Sequence, residues 1–171
     1  LPAAALCDLA ASLLNNAPVV YEMAPTGTAM ERSVIRWMAA SLGFEAGADG
    51  VLTSGGSVAN LTALLAARQV QADLCQDAPP AFLVSDQAHY SVLRAARIMG
   101  WGAEGLETVP TDERYHLRTD MLESHLRRAE ARGRCVIGVA AGACSTATGA
   151  YDALNPIADF CAEHGLWLHV D

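Results

Sequence analysis

A glycine-rich turn within residues 53–61, TSGGSVANL, carries the first residues that could do chemistry. The turn comprises Ser54, Gly55, Gly56 and Ser57. Because a predicted helix follows, free backbone N–H groups and two hydroxyls would face one point, where the helix dipole also favours negative charge. This arrangement predicts a phosphate-binding turn. A Walker loop and a GxGxxG pattern are both absent, and an ordinary turn capped by serine is the alternative interpretation.

A histidine follows a predicted strand in the segment VSDQAHYSVLRAAR, residues 84–97. His89 would lie near the carboxyl end of that strand, just before a helix. A flat imidazole at this position could contact a ring-shaped ligand. The alternative is a histidine that only caps the helix or lies on the surface.

Two further segments would bring polar groups to the same edge of a sheet. The loop GACSTATGAYD, residues 142–152, offers hydroxyls from Ser145, Thr146 and Thr148, although it could also be a simple polar connection. The final segment GLWLHVD alternates as a strand does, with Trp167, His169 and Asp171 on one face and Leu166, Leu168 and Val170 on the other. Asp171 would then emerge at the ligand edge.

A phosphate-binding turn, an imidazole, hydroxyls and a carboxylate would together suit a planar phosphorylated cation. Pyridoxal phosphate fits this description. The carboxylate would pair with the ring nitrogen and keep it protonated, so that the ring can accept electrons from a substrate carbanion.

The elements that must position these groups alternate between helical and strand periodicity. The apolar spacing predicts helices at the N-terminus and at 29–42, 57–68, 91–99, 119–132 and 155–164. Short apolar runs predict strands at 81–85, 106–110, 135–141 and 166–170. This alternation predicts an α/β fold with a mostly parallel sheet, helices on both faces, and ligands beyond the carboxyl ends of the strands.

Composition narrows the function classes. The 171 residues are 52% hydrophobic and carry a net charge of −8, which predicts one domain and disfavours nucleic-acid binding. All eleven basic residues are arginine, so the chain contains no lysine. The first residues predict an amphipathic helix, neither a signal peptide nor a membrane span.

The five cysteines are scattered without a CxxC pair, which gives little support to a disulfide framework or a structural zinc site. A reducing cytoplasm is therefore the expected location. Cys161, His164 and His169 would span a helix, a turn and a strand, so we expect no metal site.

Five ordered motifs resemble the group II pyridoxal-phosphate-dependent amino-acid decarboxylases, which include glutamate, aromatic amino-acid and diaminobutyrate decarboxylases. The motifs are YEMAP at 21–25, GVLTSGGSVANLTALLAAR at 50–68, SDQAHYSVLRAA at 85–96, STATGAYD at 145–152 and LWLHVD at 166–171. The resemblance implies the large domain of a fold-type I enzyme.

The resemblance also implies roles for single residues. Gly55, Gly56 and Ser57 would bind the cofactor phosphate, and His89 would stack on the pyridine ring. Thr146 would lie beside the phenolic oxygen, and Asp171 would hold the ring nitrogen. The family usually has glycine where this chain has Cys144.

By the same resemblance the complete enzyme would be a homodimer, with residues near Val19 lining the neighbouring active site. The Schiff-base lysine and a C-terminal small domain would follow Asp171, so residues 1–171 are expected to be a central fragment of the large domain that lacks an N-terminal segment. Decarboxylation of an L-amino acid is the predicted reaction. A related pyridoxal-phosphate lyase or aminotransferase, and a lysine-free, non-catalytic chain that binds cofactor or a partner, are the alternatives.

Overall fold

A computed structural model describes residues 1–15, 20–75 and 78–171 of the chain. Val19, which the resemblance places near a neighbouring active site, lies outside these residues. The chain divides into two compact units, Leu1–Thr53 and Ser54–Asp171. All predicted site residues belong to the second unit.

The first unit consists mainly of two helices that each begin with proline in the first turn. Helix α1 spans Pro2–Leu14 and helix α2 spans Pro25–Ser41, with a 3₁₀ turn at Tyr21–Met23 between them. The N-terminal helix is present as predicted, but none of its residues is buried. Its leucines therefore form an exposed apolar surface.

The second unit alternates helices and strands along the chain. Its helices are α3 at Gly56–Val70, α4 at Ala72–Cys75, α5 at Tyr90–Ile98, α6 at Leu122–Ala131 and α7 at Leu154–His164. Its strands are β1 at Pro80–Ser85, β2 at Leu106–Val109, β3 at Cys135–Ala141 and β4 at Trp167–Val170. Two further 3₁₀ turns lie at Ala103–Gly105 and Thr119–Met121.

The four strands form one sheet in the order β2-β1-β3-β4, and all three neighbouring pairs are parallel. The two central strands are buried along almost their whole length, which is why their sequences are continuously apolar. The predicted α/β class with a parallel sheet is confirmed.

Two hydrophobic clusters cover opposite faces of the sheet. One contains Leu83 and Val139 with residues of α6 and α7. The other contains Phe82 and Ile137 with residues of α3 and α5. Helices therefore lie on both faces, as predicted.

Gly138 allows the strands to approach each other closely. A Cβ atom at this position would lie 2.5 Å from the carbonyl oxygen of Trp167 and 2.7 Å from the ring of Phe82. No side chain fits there, so a larger residue would displace β4 or the aromatic core.

The cysteine pattern did not predict one feature. Cys75, at the end of α4, and Cys135, at the start of β3, form a disulfide across 60 residues of sequence. The cysteine spacing gave little support to disulfides, and this expectation is wrong for this pair, because the fold brings together residues whose spacing carries no signal.

Helix length and hydropathy bear on membrane association. Within the described residues, no helix is long and apolar enough to cross a membrane.

Candidate active site

The carboxyl ends of β1 and β3 enclose a small cavity. His89 and Thr146, two of the predicted site residues, line it together. The remaining lining residues are Ser85, Gln87, Ala88, Tyr115, Gly142, Cys144, Ser145, Ala150 and Asp152. The loop after β1 and the loop after β3 therefore meet as predicted for ligand-binding loops of a parallel sheet.

The predicted phosphate-binding turn leads directly into α3. Gly55 occupies the N-terminal cap position of this helix. A Cβ atom at Gly55 or Gly56 would have no neighbour within 4 Å, so the space around both glycines is open. The first turn of α3 thus presents helix-terminal N–H groups where an anion could approach.

His89 caps helix α5 and is half-buried. Its Nδ1 accepts a hydrogen bond from the backbone N–H of Ser91 at 3.3 Å and lies 2.7 Å from Ser91 Oγ. The capping role, considered as an alternative to cofactor contact, is therefore real. It uses only one ring nitrogen, so the two roles are compatible.

Ser91 continues into a buried network that crosses three elements. Asn60 Nδ2 on α3 donates to Ser91 Oγ on α5 at 2.8 Å. Asn60 Oδ1 lies 3.0 Å from Nε2 of His169 on β4. We call His89, Ser91, Asn60 and His169 the buried network.

The buried network locates the phosphate-binding turn relative to the strand ends. Asn60 lies four residues after Gly56, about one helical turn along α3. Its bonds to Ser91 and His169 hold the first turn of α3 beside the start of α5 and the end of β4.

Asp171 follows β4 and extends its pairing with β3. The N–H of Asp171 donates to the carbonyl of Ala141 at 2.9 Å, and its own carbonyl accepts from Ala143 at 2.7 Å. The residue is exposed. It does not line the cavity beside His89, but its backbone is tied to the loop that does.

Burial lowers the pKa of His169, while the nearby Asp171 carboxylate acts in the opposite direction. Desolvation is the larger effect, so the neutral imidazole is favoured. Trp167 packs in the cluster on the α3 side of the sheet, and Leu168 packs on the other side. The predicted alternation of β4 is confirmed.

Asp152 organises the loop after β3. Its carboxylate accepts the N–H of Leu117 and the N–H of Gly142, each at 2.7 Å. This buried acceptor fixes the base of the loop that carries Ser145 and Thr146. Cys144, which replaces the usual glycine, is not among the described residues with positive φ, so the backbone tolerates its side chain there.

The residues at this edge suit a phosphorylated pyridine. Ser145 Oγ is the one buried side-chain oxygen or nitrogen within the described part of the chain that has no hydrogen-bond partner, and it lines the cavity. A buried hydroxyl of this kind is costly unless a ligand or water pairs with it. The open space at the start of α3 suits a phosphate, and the carboxylate after β4 is an acceptor for a protonated ring nitrogen, as pyridoxal phosphate requires.

A second cavity, of about 360 Å³, lies at the opposite edge of the sheet, beside the start of β1 and β2. Its charged lining residues already pair with each other: Arg134 with Glu104, and Arg132 with Glu107. Ligands of parallel sheets bind beyond the carboxyl ends of the strands. We therefore place the candidate site at the His89 edge.

The residues considered as metal ligands contact separate partners. Cys161 Sγ lies 3.8 Å from the carbonyl of Trp167, and His164 pairs with Glu123 at 3.1 Å. His169 belongs to the buried network. Burial raises the pKa of the Cys161 thiol to about 11, which disfavours the thiolate that a metal needs.

Sequence reasoning missed Asn60, Ser91 and Asp152 as parts of the site. Asn60 shares the buried face of α3 with Leu64 and Ala67, at spacings of four and seven residues. A polar residue at a core position is the signal that could have identified it, because buried amides require partners.

Comparison with known proteins gives a consistent family. A model described as the pyridoxal-dependent decarboxylase conserved domain matches residues 2–171. Human cysteine sulfinic acid decarboxylase is 37% identical over 164 residues, covering 92% of this chain and 33% of the human protein. An aromatic-L-amino-acid decarboxylase from Bacillus atrophaeus is 36% identical over 167 residues, covering 97% of this chain and 34% of that protein. The chain thus spans about a third of the length of these relatives.

Solved structures agree with the sequence relatives. The crystal structure of mouse CSAD in apo form has a TM-score of 0.91 and 36% identity, covering 99% of this chain and 37% of that chain. The glutamate decarboxylase domain of a Vibrio parahaemolyticus diaminobutyrate-pyruvate transaminase and L-2,4-diaminobutyrate decarboxylase has a TM-score of 0.90 and 26% identity, covering 97% of this chain and 39% of that chain.

Proposed function

Because the chain belongs to the pyridoxal-dependent decarboxylase family, we propose that it forms the non-covalent cofactor site of an enzyme that decarboxylates an L-amino acid. Cysteine sulfinic acid, glutamate and aromatic amino acids are the substrates that the names of its relatives suggest. The family match favours decarboxylation over the related lyase and aminotransferase reactions.

The observation that carries the proposal is the meeting of the loops after β1 and β3. There, the half-buried His89 and the exposed Thr146 share a cavity with Ser145, whose buried hydroxyl has no partner within the described residues. The enclosed volume is about 20 Å³, so this concave edge suits the hydrogen-bonding groups of a ligand whose flat ring lies over it.

We propose the following division of roles. Gly55, Gly56 and Ser57 hold a phosphate at the start of α3, where the helix-terminal N–H groups and the helix dipole attract an anion. His89 stacks on a ring and orients it. The hydroxyl of Thr146 donates a hydrogen bond to an oxygen on that ring.

Asp171 holds a proton on the ring nitrogen, because an anionic carboxylate stabilises a protonated base. When bound, pyridoxal phosphate supplies an electron sink that the protein's own side chains lack. The residues described here therefore bind, orient and hold one proton, and the same elements exclude water from one side of the ring.

The absence of lysine limits what these residues do alone. The guanidinium of arginine stays protonated in proteins and cannot attach the cofactor covalently. We propose that the lysine lies in a further segment of a longer protein, together with the small domain. Residues 1–171, treated with pyridoxal phosphate and borohydride, should acquire no side-chain adduct by mass spectrometry when the terminal amine is blocked. A side-chain adduct would contradict this proposal.

The experiment that tests the function uses Asp171→Asn in the complete protein. A neutral amide cannot hold the ring nitrogen protonated, so carbon dioxide release should fall by about 10²–10³-fold. The borohydride-trapped adduct should persist, which controls for cofactor binding. The substrates are cysteine sulfinate, glutamate and aromatic amino acids. Normal decarboxylation by the Asn variant would show that Asp171 does not hold the ring nitrogen.

We further propose a cytoplasmic homodimer with active sites at the interface. The exposed leucines of α1 and the exposed Trp37 and Phe44 support an association surface in the first unit. Sedimentation of the complete protein should give a dimer. A stable monomer that does not bind an apolar dye would contradict this part of the proposal.

A further inference from the structure

One backbone N–H group determines which atoms donate and which accept in the hydrogen bonds of the buried network. The N–H of Ser91 can only donate, and it points at Nδ1 of His89. That nitrogen must therefore carry a lone pair rather than a proton. A neutral imidazole with an unprotonated Nδ1 carries its proton on Nε2.

Each further bond of the network follows from the first. Because Nδ1 of His89 accepts, the Ser91 hydroxyl at 2.7 Å donates its proton to it. The Ser91 oxygen then accepts from Asn60 Nδ2 at 2.8 Å. This orients the Asn60 amide with its oxygen toward His169, 3.0 Å away, so Nε2 of His169 carries a proton and donates.

All the side chains behind His89 are buried. Ser91 is 1% exposed, Asn60 is 5% exposed and His169 is 7% exposed. A buried amide cannot turn over without leaving two groups unpaired, which costs more than the bonds contribute. Burial also lowers the pKa of His169, which favours the neutral, singly protonated ring that this network requires.

We propose that Asn60 and His169 are positioning residues that act through Ser91 to hold His89 in one ring orientation, with its proton on Nε2. The significance of this inference rests on the proposed function, because His89 matters only if its ring lies against the cofactor. The inference itself concerns protons within the protein and can be tested without cofactor.

The fixed orientation leaves a defined edge of the His89 ring, with Nε2, without a partner in the part of the chain that the structure describes. Within the described residues, its hydrogen bonds all involve Nδ1, so Nε2–H is left for a ligand. An N–H donor here suits an anionic or carbonyl oxygen bound in the cavity. A ring with mixed protonation would offer that donor only part of the time.

The experiment is a long-range ¹H–¹⁵N NMR correlation of the histidine rings in the cofactor-free complete protein. The ¹⁵N shifts distinguish a protonated ring nitrogen from an unprotonated one. We expect the proton on Nε2 for both His89 and His169. A proton on Nδ1 of His89 in the wild type would overturn the proposal.

Asn60→Asp gives the sharpest variant, because it keeps the shape of the side chain, removes the donor and adds one negative charge that the control variant matches. The carboxylate would accept a hydrogen bond from the Ser91 hydroxyl in place of Nδ1 of His89, and His89 should shift toward a mixture of protonation forms. The matched control is Asn155→Asp on the exposed start of α7, which adds the same charge away from the network. An unchanged His89 in Asn60→Asp would overturn the proposal.

His169 provides an independent pair of variants if Asn60→Asp fails to fold. His169→Gln retains a donor to Asn60 and should preserve the His89 spectrum, whereas His169→Leu should disturb it. In the loaded enzyme, kcat should fall about tenfold in His169→Leu with little change in KM, and His169→Gln should restore it. Equal spectra for the two variants would overturn the proposal. Failure to bind cofactor would instead contradict the proposed function, since the spectra are recorded without it.

Discussion

Two buried polar clusters of the second unit each contain a histidine, and they differ in charge. The buried network joins α3, α5 and β4 through neutral groups. The second cluster, which we call the Glu107 cluster, joins β2 to α6. There Glu107 lies 2.9 Å from Nδ1 of His125 and also pairs with Arg128 and Arg132.

The difference distinguishes a polar cluster that stabilises the fold from one that orients a group for a ligand. Glu107 and His125 are 6% and 4% exposed, and the Glu107 carboxylate is paired within the protein by Arg128 and Arg132. The buried network instead ends at His89, whose Nε2 faces no partner within the described residues. A closed ionic cluster fixes a helix on an edge strand, whereas a neutral, directed network can prepare a group for a ligand.

The largest effect on stability is expected at the closed cluster. Glu107→Ala leaves His125 and two arginines without their carboxylate. Breaking a buried pair typically costs about 3–5 kcal/mol, and the half-exposed arginines can regain water, so we expect about 3 kcal/mol. Urea unfolding measures the loss. A change below about 1 kcal/mol would indicate a cluster of the weak, solvent-exposed kind.

A smaller loss is expected at the buried network. Asn60→Leu removes two hydrogen bonds, so the Ser91 oxygen loses its donor and Nε2 of His169 loses its acceptor, which should cost about 2 kcal/mol. Asn155→Leu on the exposed face of α7 is the matched control and should change stability by less than about 0.5 kcal/mol. Equal losses in the two variants would show that the network contributes nothing specific.

The stability that the buried network contributes through His169 should depend on pH. Because burial lowers the pKa of His169 below 6.5, the unfolded chain takes up this proton first as the pH falls. The contribution of His169 is therefore complete above this value and is lost as the pH falls below it toward the folded pKa. The difference in unfolding free energy between wild type and His169→Gln, measured from pH 8 to pH 5, should shrink with acidity. The nearby Asp171 carboxylate raises the pKa of His169 and so reduces this pH dependence. A free-energy difference that stays constant from pH 8 to pH 5 would contradict the prediction.

Much of the fold could be predicted from local patterns. The apolar runs at β1 and β3 are continuous because helices cover both faces of the sheet, so their sequence alone indicates buried parallel strands. The Cys75–Cys135 disulfide could not be predicted this way, because it depends on how α4 packs against the start of β3. Sequence spacing carries no information about that contact.

The residues that line the candidate site could be predicted from the sequence, whereas the buried residues behind them could not. His89 and Thr146 follow strands, where chemistry is expected, and the structure brings them to one cavity. Asn60 and His169 are 109 residues apart and each resembles an ordinary polar residue. Their hydrogen bond forms only because α3 packs against β4, and the sequence pattern within each element does not specify this contact.

The comparison of His89→Ala with His125→Ala in the complete protein tests the central claim most directly. His89→Ala should reduce decarboxylation about a hundredfold while costing only about 1 kcal/mol for the lost helix cap. His125→Ala should cost about 2–3 kcal/mol of stability and leave kcat unchanged under folding conditions. Unchanged turnover in His89→Ala, or a loss of kcat confined to His125→Ala, would contradict the placement of the active site at the carboxyl edge of the sheet.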